Sequence, residues 1–175
     1  MWLAYARRNG GVPTADMKLP TLLTYNVESG YYDHICNKVW LGGFLNGLRI
    51  FTSGEGGTLI EHELSAKDIS NPVRSIIPYN DQTMLVGIDG MGVYKVRRQP
   101  SSSGVFEGEL LFDANEGKEG VLHGNGVYAM MRDSWENIII GTYSGGIDIA
   151  RPVGSTPALF QHIRDKTSSR CRTTT

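Results

Sequence analysis

The chain has little of what marks several common protein classes. Only two of its 175 residues are cysteines, Cys36 and Cys171, and neither belongs to a CxxC or other metal-ligand spacing. They could form at most one bridge, which excludes a scaffold held together mainly by disulfides. Cys36 precedes an apolar strand, a setting that suits a buried free thiol. No run reaches the ~20 apolar residues that cross a bilayer as a helix, so no membrane span is expected. No basic-then-apolar leader opens the sequence. Neither sign of charge dominates: 17 Lys and Arg against 18 Asp and Glu leave a formal charge of -1. Residues 151–175 carry Arg151, Arg164, Lys166, Arg170 and Arg172 against Asp165 alone, a net +4, so residues 1–150 carry -5. A nucleic-acid domain shows a basic patch or stripe. Here the basic excess lies in a Ser/Thr-rich tail, and nucleic acid is not an expected partner. Sustained 3.6-residue periodicity is also missing; the best helix candidate, Ala158 to Lys166, is short.

What the chain does have is glycine and repetition. Its 22 glycines exceed the usual share of about 7% without the triplet period of collagen. Three segments align without gaps: Trp40 to Ile50, Leu85 to Lys95 and Ile139 to Ile149. In each, a first glycine (Gly42, Gly87, Gly141) follows two apolar residues, and a second (Gly47, Gly92, Gly146) comes five positions later. A weaker copy begins at Trp2. Val73–Ile77 and Val127–Met131 stand at the same distance upstream of Gly87 and Gly141, and both read as strands. Polar breaks at Tyr79–Gln82 and Arg132–Asn137 supply turns. Third strands follow the second glycines, and outer strands are expected at 58–63 and 105–112.

Four short antiparallel strands recurring every ~40–50 residues correspond to a β-propeller blade. The fold class expected is therefore all-β, a partial β-propeller of four-stranded antiparallel blades. A partial blade is expected at 1–27, full blades at 28–72 and 73–126, a partial blade at 127–157, and an irregular basic tail at 158–175. Trp40, Gly42, Gly47, Gly87, Gly92, Gly141 and Gly146 are the structural residues of the repeat. Trp2, Trp40, Leu85 and Ile139 share one position, read as core between blades.

The segment Arg132–Thr142, with Gly145-Gly146-Ile147, resembles the two-component regulator propeller repeat. Asp133, Asn137, Gly141, Thr142, Gly145 and Gly146 keep the places of that pattern. Leu85 and Ile139 replace its tryptophan, and Glu136 stands where a turn glycine is usual. The resemblance covers about residues 1–150. It implies a sensor propeller, extracytoplasmic in its parent receptor, that responds to carbohydrate-derived ligands and works with further blades and output domains. The chain itself contains no kinase motif, recognition helix or output module, which suits a fragment of such a receptor.

No catalytic constellation stands out, and no enzyme activity, cofactor or metal is expected. The four histidines, His34, His62, His123 and His162, lack short-range metal spacing, and His34 with Cys36 supplies too few ligands. Gly54–Thr58 reads as a turn, and Asp113–Glu119 as a solvated loop between blades. In propellers the entry to each first strand and the turn between second and third strands open at one end. That rule gathers Asn71, Asp89, His123, Asn125, Tyr143 and Ser144 as ligand-binding candidates, with Leu45 and Asn46 nearby. Their hydrogen-bonding groups and one aromatic face suit an oligosaccharide or other small polar ligand. The alternative is a propeller scaffold for protein–protein interaction or dimerisation.

Open blade edges favour self-association. Light scattering combined with chemical denaturation should show an associating or weakly stable chain. A cooperative monomer with an unfolding free energy above roughly 8 kcal/mol would contradict this expectation.

Overall fold

Alternating apolar residues between glycine- and Asx-rich turns form twelve strands and, among the described residues, no helix. The computed structural model describes residues 26–53, 59–65, 69–98, 105–115 and 121–164. The copy at Trp2, the turn at Gly54–Thr58 and the tail from residue 165 lie outside them, as does nearly all of the 1–27 unit. The first sheet contains β1 (Val27–Asp33), β2 (Lys38–Gly43), β3 (Gly47–Ser53) and β4 (Leu59–His62). The second contains β5 (Val73–Asn80), β6 (Thr83–Ile88), β7 (Gly92–Arg97) and β8 (Gly108–Phe112). The third contains β9 (Val127–Arg132), β10 (Ile138–Thr142), β11 (Gly146–Val153) and β12 (Thr156–Ile163). Each sheet is antiparallel, with its strands in chain order from edge to edge. The fold is all-β, a partial propeller of four-stranded blades. The first strands lie side by side, β1 against β5 and β5 against β9.

The blades bury one another. One core holds Trp40, Leu48 and Ile50 from the first blade with Val73, Met84, Val86 and Ile88 from the second. The next core holds Leu85, Val93 and Phe112 from the second blade with Val127, Ile138, Ile140 and Ala150 from the third. Successive residues of a strand point to opposite faces, so β6, covered on both, is buried along its whole length. At the repeat's tryptophan position, Trp40 and Leu85 are fully buried, each facing the following blade, while Ile139 is half-buried.

The first glycines occupy equivalent places. Gly42 is paired with Ser29 and Leu48, Gly87 with Ser75 and Val93, and Gly141 with Ala129 and Ile147. A Cβ on Gly42 would stand 2.6 Å from both the Val73 carbonyl oxygen and its Cγ1, and one on Gly87 would stand 2.6 Å from Val127 Cγ1. Each glycine therefore admits the first strand of the following blade. Ser29 and Ser75 fasten the same contacts: the Ser29 hydroxyl donates to the Val73 carbonyl at 3.2 Å, and Ser75 Oγ accepts from the Met130 N–H at 3.0 Å. The second glycines serve the backbone, with φ of 60°, 88° and 89° at Gly47, Gly92 and Gly146.

Two expectations need correction. The third blade does not stop at 157, and the residues from 158 to 163 are not an irregular tail, because β12 runs from Thr156 to Ile163 and completes a four-stranded sheet. The turn at Gly154-Ser155, with Gly154 at φ 60°, sends the chain back along β11. A bulge opposite Ile149/Ala150 breaks the alternation that would have marked the strand. The outer strand expected at 105–112 begins only at Gly108. Phe106 instead pairs in parallel with Leu64 of the first blade and packs edge-on to Trp40, ring centres 5.4 Å apart.

Gly42→Ala and Gly87→Ala should each lower the unfolding free energy by about 1–3 kcal/mol, the cost of overpacking. Around Gly141 a Cβ would meet only ordinary contacts with Ala129 of its own sheet. Gly141→Ala should stay within about 0.5 kcal/mol of wild type. Urea denaturation of the three variants checks the contrast.

Candidate functional site

A shared irregularity builds one end of the blades. Each first strand carries a bulge just after its valine, so that Val27 pairs with Gly43, Val73 with Ile88 and Val127 with Thr142, while the next residue is left out of register. The bulged residues are Glu28, Arg74 and Tyr128. A bulge bends its strand and re-aims the extra side chain. Here the three neighbours engage one another across blades. Arg74 donates to Glu28 at 3.0 Å and to Asp89 of the β6–β7 turn at 3.1 Å. Its guanidinium lies 4.9 Å from the Tyr128 ring centre on one side and 5.3 Å from that of Phe44 on another, in cation–π range. Tyr128 stacks on Tyr143 with ring centres 5.6 Å apart. Burial alone would pull the Arg74 pKa down, but the hydrogen bonds to Asp89 and Glu28 raise it above its ordinary value.

Three of the six candidate residues join this cluster. Asp89 accepts from Arg74, Asn71 donates to the Asp89 carbonyl at 3.3 Å, and Tyr143, 70% exposed, presents the outermost ring. Ser144 sits beside Tyr143 in the turn, exposed and at φ 58°. Asn125 and His123 are engaged elsewhere. Asn125 Oδ1 accepts from the Ala114 N–H at 2.6 Å, and its carbonyl accepts from the Gly92 N–H at 2.9 Å, so the residue ties its loop to the second blade. His123 pairs with Asp148. Glu28, Arg74, Tyr128 and Phe44 were missed. The signal was available in Val127-Tyr128 and Val73-Arg74, which share an offset of fourteen residues from the repeat glycine. Val27 stands fifteen residues before Gly42, and that extra residue hides the third copy.

The opposite end is held by buried charge. Asp33, at 0% exposure, accepts from Arg98 of the second blade at 2.9 Å and from the Cys36 thiol at 3.0 Å. Lys38, also buried, donates to Thr52 at 3.2 Å and lies 5.9 Å from the Phe106 ring centre. Burial, then the hydrogen bond to Asp33 and its negative charge, push the Cys36 thiol up to about 12. Burial, with Lys38 nearby, lowers the pKa of His62. A thiol so disposed is neutral and inert, a packing residue rather than a nucleophile. Trp135 lies at this end in the β9–β10 turn, 78% exposed. Asp133 holds this turn together: the Asn137 side-chain amide donates to its Oδ2, and the backbone N–H groups of Trp135 and Asn137 donate to its Oδ1 in an Asx-type turn, bonds that lower the Asp133 pKa.

A second grouping was not foreseen. His123, before β9, and His162, on β12, converge on the carboxylate of Asp148, which is 2% exposed on β11. No protein-family model and no curated protein matches the chain.

The thiol leads to a pH dependence. Unfolded Cys36 loses its proton near 9, whereas the folded thiol keeps its proton up to about 12. The unfolded state therefore binds fewer protons in that window, and stability falls as pH rises through it, by at most about 1.4 kcal/mol per pH unit. In a Cys171→Ser background, Cys36→Val should remove this share of the alkaline loss. Denaturation midpoints measured from pH 8 to 11 check it.

Proposed function

We propose that the chain is a ligand-sensing propeller segment of a two-component regulator, and that it binds a carbohydrate-derived ligand at the end carrying Tyr143, Tyr128, Asp89, Asn71 and Glu28. The observation that carries this reading is the registered bulge, which sets Glu28, Arg74 and Tyr128 in one row across three blades. Arg74 already spends its charge on Glu28 and Asp89, so the row offers no unpaired cation for an anion. It offers instead an exposed aromatic face, carboxylate acceptors and an amide, the groups that hold a neutral sugar by stacking and by hydrogen bonds to its hydroxyls. Such binding makes no covalent bond. It would bias an equilibrium between blade arrangements, which output domains of the parent receptor would read. The extracytoplasmic setting belongs to the same proposal and rests on the repeat's resemblance to that sensor family.

A panel of neutral oligosaccharides titrated calorimetrically against the chain tests the reading. Tyr143→Ala should weaken the best binder by about 1–3 kcal/mol without moving the unfolding midpoint. Asn125→Ala should instead lower stability, by about 1–3 kcal/mol, because it strands the Ala114 N–H. Unchanged isotherms for Tyr143→Ala would move the site elsewhere. No binding across the panel, together with self-association in light scattering, would favour the scaffold reading.

A further inference from the structure

Among the described residues, two aspartates have carboxylates almost wholly removed from water, and they are neutralised differently. Asp33 has the permanent cation of Arg98 at 2.9 Å. Asp148, 2% exposed, has no Lys or Arg partner among the described residues; its ion-pair partners are His123 and His162, charged only when protonated. A buried carboxylate is costly unless paired or bound to a metal. Both histidines aim at the same atom: Nδ1 of His123 is 2.7 Å and Nδ1 of His162 is 2.9 Å from Asp148 Oδ1. Their rings stack with centres 3.3 Å apart and planes within 11°. Asp148 Oδ2 is held separately by the His123 backbone N–H at 3.0 Å. Two imidazole nitrogens and one carboxylate oxygen thus converge on a common point, and the carboxylate is already anchored.

We propose that His123, Asp148 and His162 form a binding site for a divalent transition-metal ion of the zinc class, ligated by one nitrogen from each imidazole and one carboxylate oxygen. The donor set suits such an ion: imidazole favours zinc, copper and nickel, whereas magnesium and calcium prefer all-oxygen sites. Ligands around tetrahedral zinc stand about 2.0–2.1 Å from the ion and so about 3.3 Å from one another. The present separations of 2.7 and 2.9 Å need to widen by about half an ångström to reach that spacing, and the stacked rings must turn apart so that each in-plane nitrogen lone pair points at the ion. His123 can supply the movement, since its side chain is 47% exposed and stands on a loop. When Nδ1 ligates, the imidazole proton moves to Nε2, so the neutral side chains need lose no proton. An open cleft of about 290 Å³, lined by Val121, Leu159, Phe160 and Gln161 besides the three ligands, adjoins the site. It leaves room for water or a donor atom from a bound molecule in the remaining coordination position, an arrangement of three protein ligands and one open place.

The site is independent of the sugar-binding row: none of its three residues contributes to the Arg74 cluster. Neither local spacing nor the repeat discloses it. His162 meets Asp148 only through the β11–β12 pairing, and His123 arrives from the loop between blades.

The test titrates the metal-free chain with Zn2+ by calorimetry and with Co2+ by visible absorption, and uses Mg2+ as the comparison ion. One Zn2+ per chain is expected, with Co2+ giving d–d bands free of thiolate charge transfer, and no binding of Mg2+. His162→Gln and His123→Gln should each weaken Zn2+ at least about 10-fold, while His62→Gln binds as wild type. Far-UV circular dichroism confirms that each variant is folded, and a variant that fails this check is replaced by the corresponding asparagine. Absence of Zn2+ binding at equimolar concentration would overturn the proposal. So would unchanged affinity in both glutamine variants, or a Co2+ spectrum dominated by thiolate charge transfer.

Discussion

The approach of each inner strand to the second strand of the preceding blade, with Val73 set against Gly42 and Val127 against Gly87, is the constraint from which the blade geometry follows. A methyl group at either glycine would occupy space already filled by the next blade. Because the contact is close, the neighbouring first strands come within reach of one another, and the serine paired with each glycine can bond across the gap. The same closeness places three bulged residues in a row. Arg74 can touch Glu28 on one side and Tyr128 on the other only because both neighbours arrive in the same register. The glycines thus determine packing directly and the polar row indirectly.

Charge is distributed between the two ends according to burial. At one end Asp33 and Arg98 pair across the first two blades, in a dry setting where loss of either partner would leave an uncompensated charge. At the other, Arg74 is partly solvated and flanked by two acids, with aromatic rings on its faces. The first arrangement fixes the blades, and the second leaves polar atoms at a surface. Asp148 belongs to neither pattern, since it is enclosed like Asp33 but has only imidazoles to answer it.

The blade class and the strand order of the first two blades were legible because packing repeats: each glycine offset and each apolar pair recurs wherever two blades meet. Half of the candidate ligand row was legible for the same reason, since Asn71, Asp89 and Tyr143 follow from which turns share an end. Arg74, Glu28 and Tyr128 were not, because alternation does not say where a bulged side chain is re-aimed, and the extra residue in the first copy hides the shared offset. Asn125 looked like a ligand residue and proved to cap the Ala114 N–H, a role that turn asparagines fill whatever the function. The strand β12 escaped notice because its bulge and Pro157 interrupt the period of two. Without β12, His162 had no partner, and the histidine pair around Asp148 stayed hidden. Residue types state what chemistry is available, but the register across distant strands decides which groups meet.

The segment before β8 has a mechanical consequence. Phe106 exchanges backbone hydrogen bonds with the first blade, its N–H donating to Glu63 and its carbonyl accepting from Ser65, while Glu107 next to it bonds back to Arg97 of its own sheet. The first two blades are therefore pinned twice, along the inner strands and again at the outer rim. Two separated pins suppress rotation as well as separation. Among the described residues no isolated bridge of this kind joins the second blade to the third. The two junctions therefore differ in build: the first is clamped at its outer rim by paired backbone, and the second is tied through the loop before β9, where Asn125 bonds to Ala114 and Gly92.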